Sequence, residues 1–187
     1  MVSWKKIYSK GKVAEKRFVL YCNKHRQLCV KSNDLLYFLL ERRTPPYPAY
    51  NSKKYLQKIK KVARKLTTKT LRFLRRLARE KGIYWAKEKP RPEREKRAIK
   101  KFIEMGALKY FNFKNDFVDV FVVPGMPDFA VYNKDKKEVY FAEVKASKST
   151  VTPVQRKLMK KMKRNNIDVI VVYTNEVNDW LEVNVIS

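Results

Sequence analysis

Hydrophobic residues repeat with two periods along this chain, and the two periods divide it into strand-like and helix-like stretches. Phe129–Asn133 and Val139–Lys145 are rich in Val, Phe and Tyr, with the polar Lys134–Glu138 between them. Two such runs predict a β-hairpin. A turn centred between Asp135 and Lys136 sets Val131 opposite Tyr140 and, by the same register, Asp128 opposite Glu143. Phe117–Val123 reads as a strand before the hairpin, Asp168–Tyr173 as a buried strand after it, and Trp180–Val185 as a weaker last one. Lys16–Cys22 and Gln27–Lys31 read as a second hairpin around Asn23–Arg26, which would set Cys22 opposite Cys29 and make a disulfide geometrically feasible. Two free thiols are the expectation for a reducing compartment.

The helical period marks other stretches. Asn33 or Asp34 caps a short helix over Leu35–Arg42, stopped by Thr44-Pro45-Pro46-Tyr47-Pro48. Ser52 caps a long helical stretch ending near Lys81-Gly82, with Tyr55, Ile59, Val62, Leu66, Phe73 and Leu77 as its buried stripe and a split at Thr67-Thr68. Pro92 opens a helix over Glu93–Gly106. Its apolar face of Ala98, Ile99, Phe102 and Ile103 includes Glu95 but not Glu93. Thr152, Pro153 and Gln155 form a capping-box start to another helix, with Val154, Leu158 and Met162 as its buried stripe. The order helix, strand, hairpin, helix, strand predicts an α/β fold, a central mixed β-sheet flanked by helices. Lys87-Glu88-Lys89-Pro90-Arg91-Pro92 marks the boundary between a basic, mainly helical region, residues 1–88, and a core, residues 89–187.

The predicted hairpin carries the candidate chemistry. Asp128 and Glu143 meet side by side on adjacent strands, and the strand period of two puts Lys145 on the face of Glu143. Like charges placed opposite each other destabilise a sheet unless a cation compensates them. The ordinary alternative is a solvated hairpin whose Glu143–Lys145 pair is a surface ion pair. Val139-Tyr140-Phe141-Ala142 is almost continuously apolar, so the strand is covered on both faces and the site reading prevails. Hard carboxylate oxygens converging on one point suit Mg²⁺ or Mn²⁺ rather than zinc.

Charge names the partner. The chain has a formal net charge of +27, with 44% hydrophobic and 13% aromatic residues. It is too apolar to be disordered and far more basic than solubility requires, which points to nucleic acid. One face of the Ser52–Lys81 stretch carries Lys61, Arg64, Lys65, Arg72, Arg75, Arg76 and Arg79, among other cations, against the single acid Glu80. A solvated face normally mixes signs, for pair energies of about 0.3–0.5 kcal/mol each. This one repels itself and calls for an external polyanion. No run of the sequence is long enough to span a bilayer and Met1-Val2-Ser3-Trp4-Lys5-Lys6 lacks a signal-peptide core, so a cytoplasmic protein without a membrane partner is expected. A membrane-surface role for the basic helix lacks an apolar face free for lipid.

Glu95 on a helix, Pro127-Asp128, Glu143-Val144-Lys145 and Thr152-Pro153-Val154-Gln155 before a buried strand together resemble the PD-(D/E)XK nuclease superfamily. They are most similar to the branch of VRR-NUC nucleases and archaeal Holliday-junction resolvases, with their Gly-x-Pro-Asp turn, Glu-x-Lys and following Gln. The lysine-rich composition also resembles nucleases of archaeal spindle-shaped viruses, which would place the protein in a host cytoplasm. The resemblance covers about Glu93–Tyr173 and does not extend to residues 1–88. It implies a restriction-endonuclease-like core in which Asp128, Glu143, the Val144 carbonyl and Glu95 hold Mg²⁺ or Mn²⁺. Lys145 then orients water or stabilises charge at phosphorus, and Gln155 lies beside it. Lys148, where relatives often carry small or acidic residues, becomes a phosphate contact. The expected activity is a Mg-dependent endodeoxyribonuclease acting on duplex or branched DNA, with no small-molecule cofactor. The alternative is a DNA-binding or packaging protein with an inactive nuclease fold. An aromatic surplus in Ala107–Val123 and a second apolar cluster at Leu35–Leu40 lead us to expect a homodimer.

Overall fold

Helical and strand periods compete at the N-terminus, and the helix wins. The structure, a computed structural model, describes residues 4–41, 53–88, 117–146, 149–174 and 181–185. Trp4–Lys24 is one helix, α1, so the expected strand over Lys16–Cys22 does not form. Phe18 and Cys22 are compatible with either period. Ala14 completes an i, i+4, i+8 stripe with them, while Leu20, which a strand would bury beside Phe18, is 67% exposed. The other half of that expected hairpin is a strand, β1 (Leu28–Lys31).

The helix α2 (Ser32–Glu41) starts before Asn33 and Asp34, which are therefore not its caps. Both side chains are used across the fold instead. Asn33 Oδ1 accepts from the Val123 amide at 3.0 Å, and Asp34 Oδ2 accepts from the Tyr55 hydroxyl at 2.9 Å. The long helical stretch divides at Thr67 into α3 (Lys53–Ala63) and α4 (Thr68–Lys81). Thr67 caps α4 by accepting the Thr70 amide at 3.1 Å. Ile59, Val62, Leu66, Phe73 and Leu77 are buried, as their spacing predicts.

Two strands follow, β2 (Ile83–Glu88) and β3 (Phe117–Val122), paired antiparallel in a sheet of their own. Phe117–Val122 is thus a strand, yet it does not join the central sheet. An aromatic cluster ties the ribbon to α2, with Phe121 5.9 Å from Tyr37 and 5.1 Å from Tyr84 between ring centres. The central sheet is completed by β4 (Phe129–Asn133), β5 (Glu138–Ala146), β6 (Asp168–Thr174) and β7 (Leu181–Val185), with α5 (Pro153–Lys163) crossing over between β5 and β6. Among the described residues its order is β1-β4-β5-β6-β7, with β5 and β6 parallel and the other pairs antiparallel.

Each face of this sheet has its own core. Val30, Ala130, Tyr132, Phe141, Val169 and Val171 pack under α2, α3, α4 and α5. Cys29, Phe129, Val131, Ala142, Val144 and Val172 pack under Ala14, Phe18 and Cys22 of α1. The alternation along β4 and β5 is what separates the two sets. The sheet draws an edge strand and a covering helix from residues 4–31, so both sides of the Lys87–Pro92 boundary contribute to it. Cys22 and Cys29 are free thiols, both buried, and the hydrogen bond to Cys22 pushes the Cys29 thiol up. In α5, Leu158, Met159 and Met162 form the buried stripe, whereas Val154 is 57% exposed. Ser52, the expected helix over Glu93–Gly106 and the aromatic segment 107–116 lie outside the described residues.

Candidate active site

The hairpin register sets the site. Val131 pairs with Tyr140 and Phe129 with Ala142, so one step further Asp128 stands across from Glu143. The approach to Asp128 is shaped by Gly125, whose φ of 78° is left-handed backbone that side chains rarely adopt. A Cβ there would lie 2.8 Å from the Val154 carbonyl oxygen, so glycine also lets this turn close onto the start of α5. The Asp128 carbonyl accepts from the Ser32 amide at 3.0 Å, and its Oδ2 accepts from the Val144 amide at 2.8 Å. Asp128 is thereby tied to the strand that carries Glu143.

Glu143 is 2% exposed. Its Oε1 accepts from Lys145 Nζ at 2.7 Å and from Gln155 Nε2 at 2.6 Å. Gln155 Oε1 in turn accepts from Lys145 Nζ and from the Thr152 amide, each at 3.0 Å. One glutamine side chain therefore both caps α5, through its box with Thr152, and fixes the Glu143–Lys145 pair. Burial, and then the charge of Asp128, push Glu143 up to about 7, despite the opposing Lys145 contact. Asp128 is raised as well, again mainly by burial. Two neighbouring carboxylates in a low-dielectric setting disfavour each other's ionisation.

The donor set fits a hard divalent cation. Glu143 Oε2 is buried and has no hydrogen-bond partner among the described residues. A buried carboxylate oxygen left bare is costly unless something positive meets it. Asp128, its neighbour across the hairpin, supplies the second hard oxygen. Among the described residues no group of three His, Cys, Asp or Glu is drawn close enough to hold a metal ion as it stands. Glu95 and Lys148 lie outside those residues.

Glu15 and Lys31 reach Asp128 from the α1 side, and sequence reasoning missed both. Lys31 Nζ donates to Glu15 Oε2 at 2.6 Å and sits 4.1 Å over the Phe129 ring centre. Both charges act on Asp128, Lys31 lowering its pKa and Glu15 raising it. The signal was helical phase. Glu15 precedes Phe18 by three residues, so reading Lys16–Cys22 as a helix would have placed it beside the buried stripe.

The cations expected to meet DNA lie on α3 and α4 and in the turn between them. Lys61, Arg64, Lys65, Arg72, Arg76 and Arg79 are exposed and Arg75 is half-buried. Arg76 meets Glu80 at only 3.8 Å.

A mixed sheet between helical layers, with a carboxylate pair and a lysine on its central hairpin, is a restriction-endonuclease-like core, the fold class of PD-(D/E)XK nucleases. The sequence model of the VRR-NUC domain matches residues 60–176, more than half of the 187-residue chain. The chain belongs to the VRR-NUC family, a nuclease family acting on DNA. No curated protein and no solved structure matches it. The family match begins inside α3, so α1 and β1, which complete the sheet, precede it. Among the described residues no helix is long and apolar enough to cross a membrane.

Proposed function

We propose that the protein is a divalent-metal-dependent endodeoxyribonuclease, with Mg²⁺ or Mn²⁺ as cofactor and branched DNA, a four-way junction above all, as its preferred substrate. The observation that carries the metal assignment is the bare, buried Glu143 Oε2 beside Asp128. Asp128, Glu143 and the Val144 carbonyl would hold the ion, joined by an acid from a helix. Glu95 has that role by family resemblance, and Glu15, whose charge is felt at Asp128, is the other helix acid within its reach. Bound metal supplies water activation and neutralises charge at the scissile phosphate. Lys145, held by Glu143 and Gln155, is aimed to donate to a phosphate oxygen or to orient the attacking water. Lys148 and the α3–α4 cations contact phosphates along the DNA path. A homodimer would place two such sites on one junction.

The test is a nicking assay on supercoiled plasmid, linear duplex and four-way-junction DNA, with Mg²⁺, Mn²⁺ or EDTA. Cleavage that needs the metal and prefers the junction is the expected result. DNA binding without nicking in either metal would instead make this a DNA-binding or packaging protein on an inactive nuclease fold.

A further inference from the structure

A cavity of about 360 Å³ opens between α2, α3 and α4, within the about 300–1,000 Å³ usual for small-molecule sites. Phe38 and Leu39 of α2 and Leu71 of α4 give it an apolar lining, and Lys60 of α3, Arg64 of the α3–α4 turn and Arg75 of α4 give it three cations. No acidic residue lines it among the described residues. The Arg64 amide, just past the end of α3, donates to the Lys60 carbonyl at 3.1 Å, so the two cations lie one turn apart, and Leu71 and Arg75 are four apart on α4. Arg75 Nε is buried there without a hydrogen-bond partner among the described residues. A guanidinium N–H left bare in a protein calls for an acceptor from outside.

We infer that this cavity is a binding site for one nucleotide unit, its base against Phe38, Leu39 and Leu71 and its phosphate met by Lys60, Arg64 and Arg75. Inorganic phosphate would leave the apolar lining uncovered, and an uncharged nucleoside would leave three cations unmatched. A nucleoside phosphate answers both, and it has two sources, a free nucleotide or an unstacked residue of a strand. The site shares no residue with the Asp128–Glu143 cluster, and its test reads binding rather than cleavage, so it stands or falls apart from the active-site assignment.

The test titrates the full chain, in EDTA, with deoxyadenosine monophosphate, inorganic phosphate and deoxyadenosine, by calorimetry. The nucleotide should bind about tenfold or more tighter than either fragment, and Arg75→Gln and Arg64→Gln should each weaken it by about tenfold, as loss of a charge-assisted hydrogen bond does. Lys136→Gln, in the exposed β4–β5 turn, should leave it unchanged. Arg64 is exposed, so its variant carries the test even where Arg75→Gln does not fold. A single-stranded oligonucleotide that displaces the nucleotide identifies the strand as the source, and one that does not identifies the free nucleotide. Phosphate binding as tightly as the nucleotide, no binding at all, or equal losses in Arg64→Gln and Lys136→Gln would overturn the inference.

Discussion

Glu143 sits where its own charge is disfavoured, and this gives the site a pH signature. Its pKa rises from 4.5 to about 7, and that of Asp34, half-buried and desolvated beside Tyr55, from 3.8 to about 6. A carboxylate whose folded pKa exceeds its unfolded value binds more protons in the folded state, so unfolding free energy falls as pH rises between the two values. Metal-free protein should therefore melt at a lower temperature at pH 7.5 than at pH 5, with a Glu143 contribution of roughly 2–3 kcal/mol. Glu143→Gln should flatten the profile, and an unchanged profile would assign the dependence elsewhere. Metal binds the ionised form, so Mn²⁺ affinity in a calorimetric titration should climb with pH up to about 7. Asp128→Ala and Glu143→Ala should each abolish cleavage with DNA binding retained, and Lys145→Ala should lower the cleavage rate at least about a hundredfold. Full cleavage by Asp128→Ala would sink the metal assignment. Glu15→Gln and Glu95→Gln separate the two candidates for the helix acid, because only the true ligand should weaken Mn²⁺ binding. Glu93→Gln should leave it unchanged.

Two elements transmit structure to those residues. The turn at Gly125 rests against the first turn of α5, and α5 in turn presents Gln155 to Glu143 and Lys145. Gly125→Ala meets both a left-handed φ of 78° and the Val154 carbonyl, so it should destabilise the fold by about 1–3 kcal/mol and lower cleavage with it. Wild-type melting temperature in Gly125→Ala would show that the turn tolerates a shift. The other functional element is the α3–α4 pair. Its exposed cations predict that DNA affinity falls with salt by about 0.9 log unit per log unit of salt for each phosphate contact. Charge reversal at Arg72, Arg76 and Arg79 should flatten that slope without changing cleavage per bound complex. An unchanged slope would return these helices to a solvated surface.

For the whole molecule the open matter is assembly. One site cuts one strand, so concerted cleavage of two strands needs two copies, and a two-fold dimer matches the symmetry of a four-way junction. The apolar run at Leu35–Leu40 no longer argues for that dimer, since Leu35, Leu36, Tyr37, Phe38 and Leu39 are buried within the chain. Symmetry and the aromatic surplus of Ala107–Val123 remain as grounds for a dimer, and family resemblance for branched DNA, so a dimer is expected in sedimentation equilibrium, with faster cleavage of a junction than of linear duplex. A monomer that nicks linear duplex as fast as it cuts a junction would leave only a metal-dependent nuclease.

The hairpin and its chemistry were legible in the chain because both are local. A four-residue polar turn, Lys134–Lys137, fixes the register of β4 and β5, and register alone brings Asp128, Glu143 and Lys145 together. The same holds for the Thr152–Gln155 capping box and the split at Thr67, where the deciding hydrogen bonds span three residues. Tertiary structure decided what those periods leave degenerate. Phe18 and Cys22 satisfy a strand as well as a helix, and the helix is the form that buries Ala14 with them against the sheet. Phe117–Val122 is a strand by any local rule, but which strand it pairs with depends on the aromatic contacts of Phe121 with Tyr37 and Tyr84. Lys31 and Glu15 come within reach of Asp128 for the same reason. Residues about a hundred positions apart meet there because β1 takes the edge of the sheet, and that is settled by the burial of two faces at once rather than by any short-range pattern.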